Sequence, residues 1–231
     1  MAAWQSTAPT AAVNATAHDT VLINEIFVSI QGESTWAGHP CVFLRTTGCS
    51  LRCRWCDTEY AFHGGERHTI AELVELACSY DVPLVEITGG EPLMQASVPL
   101  LAAELLGRGK TVLVETSGAY DISVLPPGTK RIMDLKCPGS GECERNDLAN
   151  LERLQHGDEV KFVIADRNDY EWAAAMIRTH GLGDRFPVLV SPVWTELEPD
   201  QLAAWIIEDA LPAKLQLQLH KILWPDQVRG V

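Results

Sequence analysis

From residue 21 onward, short apolar runs alternate with amphipathic stretches. Residues 21–30, 41–45, 84–88, 111–115, 132–135, 160–165 and 187–191 are strand-length windows rich in branched and aromatic side chains, which predicts strands. Residues 69–80, 98–106, 148–155, 170–179 and 199–208 read as helices. Leu202, Trp205 and Ile206 share one face of the last of these helices, and residues 215–219 close the series. Thr69 and Glu72 form a capping-box pattern where the first helix begins. Strand and helix alternate at βαβ spacing, which implies an α/β fold with a mainly parallel sheet and helices outside. A partial, open β/α barrel fits best. Such folds gather active residues at the carboxyl ends of their strands. Ser29-Ile30-Gln31-Gly32-Glu33, Thr88-Gly89-Gly90-Glu91, Glu115-Thr116-Ser117-Gly118, Asp134-Leu135-Lys136 and Ser191-Pro192 each follow a predicted strand, so they converge on one rim.

Composition narrows the partners more than the fold. Eighteen Lys and Arg against 31 Asp and Glu leave a net charge of −13 over 231 residues. That balance argues against nucleic-acid and polybasic membrane partners, which call for a basic face. No apolar run approaches the roughly 20 residues of a membrane span. Residues 1–20 are rich in Ala and Thr, hold no Lys or Arg and lack the pattern of a signal peptide. They read as a flexible tail before a single domain at 21–231, with the cytoplasm as the expected location.

The cysteines carry the chemistry. Of seven, three are clustered as Cys49, Cys53 and Cys56 with spacing C-x3-C-x2-C, and Trp55 stands just before the third. Cys78 falls on the apolar stripe of the first helix and Cys41 within a strand, so both are expected in the core. Cys137 and Cys143 share a Gly-rich loop, where they either stay unpaired or bind a metal. A structural zinc site takes four ligands, and no partner pair stands nearby. Three thiolates without a fourth instead suit a 4Fe–4S cluster with one iron open. An open iron can chelate the amine and carboxylate of an amino acid, and S-adenosylmethionine (SAM) presents that group beside a cleavable sulfonium.

The cysteine loop together with Gly89-Gly90-Glu91-Pro92 resembles the radical SAM superfamily. Phe27-Val28-Ser29-Ile30-Gln31-Gly32-Glu33-Ser34, Phe43-Leu44-Arg45-Thr46-Thr47-Gly48-Cys49, Cys56-Asp57-Thr58 and Gln218-Leu219-His220-Lys221 narrow the likeness to the 7-carboxy-7-deazaguanine synthase family, from about residue 25 to 221. The resemblance implies a lyase that contracts 6-carboxy-5,6,7,8-tetrahydropterin to 7-carboxy-7-deazaguanine and ammonia through a 5′-deoxyadenosyl radical, a step toward queuosine and other 7-deazapurines. It implies that Cys49, Cys53 and Cys56 hold the cluster. Trp55, Cys56, Asp57, Gly90, Glu91, Ser117, Asp134, Leu135, Lys136 and Ser191 would contact SAM, and Thr58 would bind Mg2+. Ile30, Gln31, Gly32, Glu33, Arg45, Thr88 and His220 would hold the pterin. A low-potential reductant of the flavodoxin type and a homodimer are the partners it suggests. Two other readings compete: another radical SAM enzyme of the glycyl-radical-activating type, and a non-enzymatic electron carrier. The Gln-Gly-Glu and Cys-Asp-Thr elements favour the synthase. Residues 222–231 run past the His-Lys element and carry no assigned role.

Overall fold

A computed structural model describes residues 19–231. Nine strands form one sheet: β1 (Thr20–Ile30), β2 (Pro40–Thr46), β3 (Glu66–Thr69), β4 (Leu84–Gly89), β5 (Thr111–Thr116), β6 (Lys130–Asp134), β7 (Glu159–Ile164), β8 (Val188–Pro192) and β9 (Lys214–Leu215). Their order is β3-β1-β2-β4-β5-β6-β7-β8-β9, and the sheet is open. Every pairing from β2 to β9 is parallel. The departure is at one edge, where β1 runs antiparallel to both β2 and β3. β3 has the polar sequence Glu-Arg-His-Thr and no apolar alternation to announce it. The tail expected over residues 1–20 lies outside the described residues as far as residue 18, and Thr20 already pairs with Thr69.

Among the described residues there are seven α-helices: α1 (Ile70–Ser79), α2 (Val98–Gly107), α3 (Asn150–Arg153), α4 (Arg167–Thr179), α5 (Leu182–Arg185), α6 (Pro199–Glu208) and α7 (Leu219–Leu223). α1 starts as its capping box dictates. The Glu72 amide donates to Thr69 Oγ1 at 3.2 Å, and the Thr69 amide donates back to Glu72 Oε2 at 2.7 Å. Such a cap contributes about 1 kcal/mol. α3 is shorter than the predicted 148–155, because Asn150 spends its amide on neighbouring loops. Its Nδ2 donates to the Gly118 and Tyr120 carbonyls, and its Oδ1 accepts from the Ile122 amide. The closing run at 215–219 divides into β9 and α7, since the Leu219 amide leaves the sheet to donate to the Gly32 carbonyl.

One face of the sheet is apolar. Val42, Leu44, Val85, Ile87, Val112 and Val114 pack against the buried stripes of α1 and α2. Met133, Val160, Phe162 and Val190 pack with Tyr170, Ala173 and Ile177 of α4. Cys41 is buried, and Cys78 packs against the α1 side of the core. Among the described residues no helix is long and apolar enough to cross a membrane.

A buried ion pair ties β6 to the turn before β7. Arg131 NH1 meets Asp158 at 3.2 Å, and the guanidinium also donates to the Ile122 and Leu125 carbonyls. Removing one partner strands a buried charge. Asp158→Ala is expected to lower stability by about 3–5 kcal/mol in denaturant unfolding followed by circular dichroism. A change below about 1 kcal/mol would show that solvent reaches the pair.

Candidate active site

Strand register decides which side chains share the face turned away from the helices. Phe43 lies opposite Glu86, Arg45 opposite Thr88, Glu86 opposite Leu113, Glu115 opposite Ile132, and Asp134 opposite Lys161. Successive strand residues point to opposite faces, so these side chains stand together. All of them but the buried Leu113 line a cavity of about 550 Å³.

Lys161 is the ionic centre of this face. Its ammonium lies 2.9 Å from Glu115 Oε1 and also meets Glu33. Burial opposes that charge, but Glu115, Glu33 and Asp134 hold the ammonium well above the ordinary lysine range. Burial likewise opposes ionisation of Glu115, and Lys161 nevertheless holds its carboxyl below the usual range. Glu86 goes the other way: burial, then the Glu115 and Glu33 carboxylates, push it well above that range. Its partner is Gln31, whose Nε2 donates to Glu86 Oε2 while its Oε1 accepts from the Glu33 amide at 2.9 Å. Arg45 Nε donates to Glu25 at 2.7 Å, and the Tyr60 hydroxyl donates to the same oxygen at 2.7 Å.

The cysteine loop leaves the end of β2 and is clamped by the turn after β4. The Gly90 amide donates to the Thr46 carbonyl at 3.3 Å, and the Glu91 amide to the Gly48 carbonyl at 2.8 Å. A Cβ on Gly90 would overlap the Gly48 carbonyl, and Gly89 holds φ at +143°, so this close approach requires both glycines. Glu91 is fully buried behind the wall. Its carboxylate accepts from the Leu93 amide, the Thr116 hydroxyl, and both the amide and the hydroxyl of Ser117. It thereby joins the loop after β4 to the loop after β5.

Cys49, Cys53 and Cys56 are free thiols that open on the cavity. Burial pushes all three up, Cys53 to about 11, and the Lys136 ammonium acts against that shift. Lys136 itself is salt-bridged to Asp134 at 2.8 Å. The Thr58 hydroxyl donates to Asp57 at 2.9 Å, and Lys221 meets the other Asp57 oxygen at 2.7 Å. Burial works against the Asp57 charge, yet Lys221 and Thr58 hold this carboxyl well below the usual range.

Ile30, Gln31, Gly32, Glu33, Arg45, Thr88 and His220 all line the cavity, as do Trp55, Asp57, Thr58, Gly90, Ser117, Asp134 and Lys136. Glu91, Leu135 and Ser191 do not, and each is buried. Sequence reasoning missed Glu86 and Lys161 on the strands and Tyr60 and Trp224, and it named Glu115 only within a rim segment, with no role. The signal for the three strand residues was a charged residue at a mid-strand position in an otherwise apolar run. Cys137 is buried in the core beside α4, and Cys143 is a free, partly buried thiol.

Comparison with known proteins places this geometry. The radical SAM superfamily matches residues 43–133. The 7-carboxy-7-deazaguanine synthase of Chlorobaculum tepidum is 43% identical over 212 residues, covering 90% of this chain and 96% of its own. The chain belongs to the 7-carboxy-7-deazaguanine synthase family. The synthase of Koribacter versatilis is also 43% identical, over 90% of this chain and 99% of its own. The crystal structure of QueE from Escherichia coli shares the fold, with a TM-score of 0.72 at 24% identity, covering 87% of this chain and 95% of that one.

Membership in the radical SAM superfamily brings a 4Fe–4S cluster and SAM. The donor set fits: three free thiols border one cavity, with a buried lysine beside them. Among the described residues no three His, Cys, Asp or Glu side chains gather as a metal-ion site. A cuboidal cluster is wider than an ion, so its ligands need not converge on one point. Gly90→Ala is expected to push the cysteine loop outward and cost about 1–3 kcal/mol of stability. Iron bound after anaerobic reconstitution should fall with it, and unaltered iron content would contradict the clamp.

Proposed function

We propose that this chain converts 6-carboxy-5,6,7,8-tetrahydropterin to 7-carboxy-7-deazaguanine and ammonia. The observation that carries the reading is one cavity bordered by the three cluster thiols at one side and by Gln31, Arg45 and Thr88 at the other. Family membership supports the same reaction, because the relatives at 43% identity are named for its product.

Cys49, Cys53 and Cys56 are assigned to the cluster, which with SAM supplies a 5′-deoxyadenosyl radical. The chain's own residues bind, orient and exclude water. Trp55, Asp57, Gly90, Ser117, Asp134 and Lys136 are assigned to SAM. Asp134 Oδ1 is buried without a protein partner, an acceptor suited to an ammonium or a ribose hydroxyl. Glu91 acts through Ser117, which it holds by two hydrogen bonds, and Leu135 and Ser191 support the wall from behind. Arg45 keeps its terminal nitrogens for the substrate carboxylate, because Nε is taken by Glu25. Gln31, Gly32, Glu33, Ile30, Thr88 and His220 complete the pterin site. Burial pushes His220 below its ordinary range, so at neutral pH it offers an uncharged ring. The Thr58 hydroxyl is assigned to Mg2+, a hard cation suited to oxygen ligands. A low-potential reductant such as a flavodoxin, a homodimer and a cytoplasmic setting complete the proposal.

Anaerobic incubation with SAM, dithionite, Mg2+ and the carboxylated tetrahydropterin should yield 7-carboxy-7-deazaguanine. No product from protein with an intact cluster would overturn the reading. The final residues also border the cavity: Trp224, Pro225, Gln227, Val228 and Val231 line it, and Arg229 stacks on Tyr60 at 4.3 Å. Deleting residues 222–231 is expected to raise KM for the pterin while leaving the cluster spectrum intact. Unchanged turnover would remove the tail from the site.

A further inference from the structure

Six carboxylates line the cavity: Glu33, Asp57, Glu86, Glu115, Asp134 and Glu196. Five of them have a cationic partner. Glu33 and Glu115 share Lys161, Asp57 has Lys221, Asp134 has Lys136 and Glu196 has Arg54. Among the described residues Glu86 has none. Arg45, the nearest candidate by strand register, turns its Nε to Glu25 instead.

A carboxyl group that is 2% exposed, with Arg45 and Lys161 acting on it only from beyond salt-bridge distance, is costly to keep ionised. It also has unspent capacity. Glu86 Oε2 accepts from Gln31, and among the described residues Oε1 has no hydrogen bond. One side of its surroundings is apolar. Phe43, stacked on Phe27 with ring centroids 4.8 Å apart, lies beside Glu86 in register, and Ile132 completes that side of the cavity floor. Gln31 cannot swing away, since its Oε1 is held by the Glu33 amide at 2.9 Å. Its Nε2 therefore points at Glu86 with one N–H left to give.

Resting on the pterin reading above, we infer that Glu86 and Gln31 together read the 2-amino-4-oxopyrimidine edge of the substrate. That edge presents the 2-amino group, the N3–H and the 4-oxo group in a row: donor, donor, acceptor. The Glu86 carboxylate supplies two acceptors and the free Gln31 N–H supplies the donor, so the patterns are complementary. The Phe43 and Ile132 side chains give the ring an apolar surface to lie against. The ligand's N–H groups supply direct hydrogen-bond donors that add to the more distant Arg45 and Lys161 charges and favour the ionised form of Glu86. Gln31 acts in this scheme chiefly as a positioning residue, and Glu86 sets specificity for the amino-substituted ring.

The test is binding to the full chain with its cluster reconstituted and SAM present. The probes are pterin-6-carboxylate and lumazine-6-carboxylate, which differ at C2, where the amino group of the first is an oxo group in the second and N1 carries the displaced hydrogen. The unaltered protein should prefer the pterin by at least about tenfold. Glu86→Gln, nearly isosteric, should lose most of that preference while cluster absorbance and SAM affinity hold. Gln31→Ala should weaken pterin binding while keeping part of the preference, since Glu86 remains. If Glu86→Gln discriminates as sharply as the unaltered protein, Glu86 does not read the edge, and the inference falls while the pterin reading stands. If the unaltered protein binds neither probe, the pterin reading falls and takes this one with it.

Discussion

A buried ammonium held between two carboxylates organises this molecule. Lys161 on β7 meets Glu115 on β5 and Glu33 in the turn after β1. Moving these charges out of water costs several kcal/mol each, and only mutual pairing offsets it. The pairing therefore pins three distant parts of the chain to one point on the sheet. It also forbids an ordinary packed core there. Beside the small apolar cluster of Phe43, Leu113 and Ile132, this charged part of the face stays open as a cavity, while the opposite face packs under α1, α2 and α4.

The cavity and the cluster loop depend on each other through short backbone contacts. The Gly-Gly-Glu turn after β4 clamps the start of the cysteine loop, and Glu91 carries the clamp on to Ser117 after β5. The Gln-Gly-Glu turn after β1 holds the far side. The Leu219 amide docks on Gly32, and a Cβ on Gly32 would overlap the His220 ring. Chain ends far apart in sequence thus become opposite walls of one site. The division of labour follows: thiols and the Gly-Gly turn at one wall, a carboxylate, an amide and an arginine at the other.

Much of this was legible in the sequence, because much of it is local. The α1 capping box, the apolar strand windows and the three-cysteine spacing are short-range patterns, and each appears where its residues imply. The strand-end position of the site followed from fold class alone. Glu86, Glu115 and Lys161 were not legible as a group, since register across β4, β5 and β7 brings them together over long separations. β3 was hidden because its edge position demands no apolar alternation. The resemblance put Gln31 at the pterin without saying which way its amide points. Its orientation by Glu33 and Glu86 emerges only when the turn after β1 is folded over β4. The tail that sequence left without a role borders the cavity because α7 turns it back over Asp57 and Tyr60.

The cluster thiols and the residues proposed for the pterin open on a single cavity. That they act together there is tested most directly by isotope transfer. Substrate carrying deuterium at the ring carbon that bears the carboxylate is turned over anaerobically, and SAM and 5′-deoxyadenosine are examined by mass spectrometry. Deuterium recovered in the 5′-position of either compound is the predicted result, since transfer requires van der Waals contact within one water-excluded cavity. Product formed with the deuterium lost wholly to solvent, and none in either adenosyl compound, would contradict it.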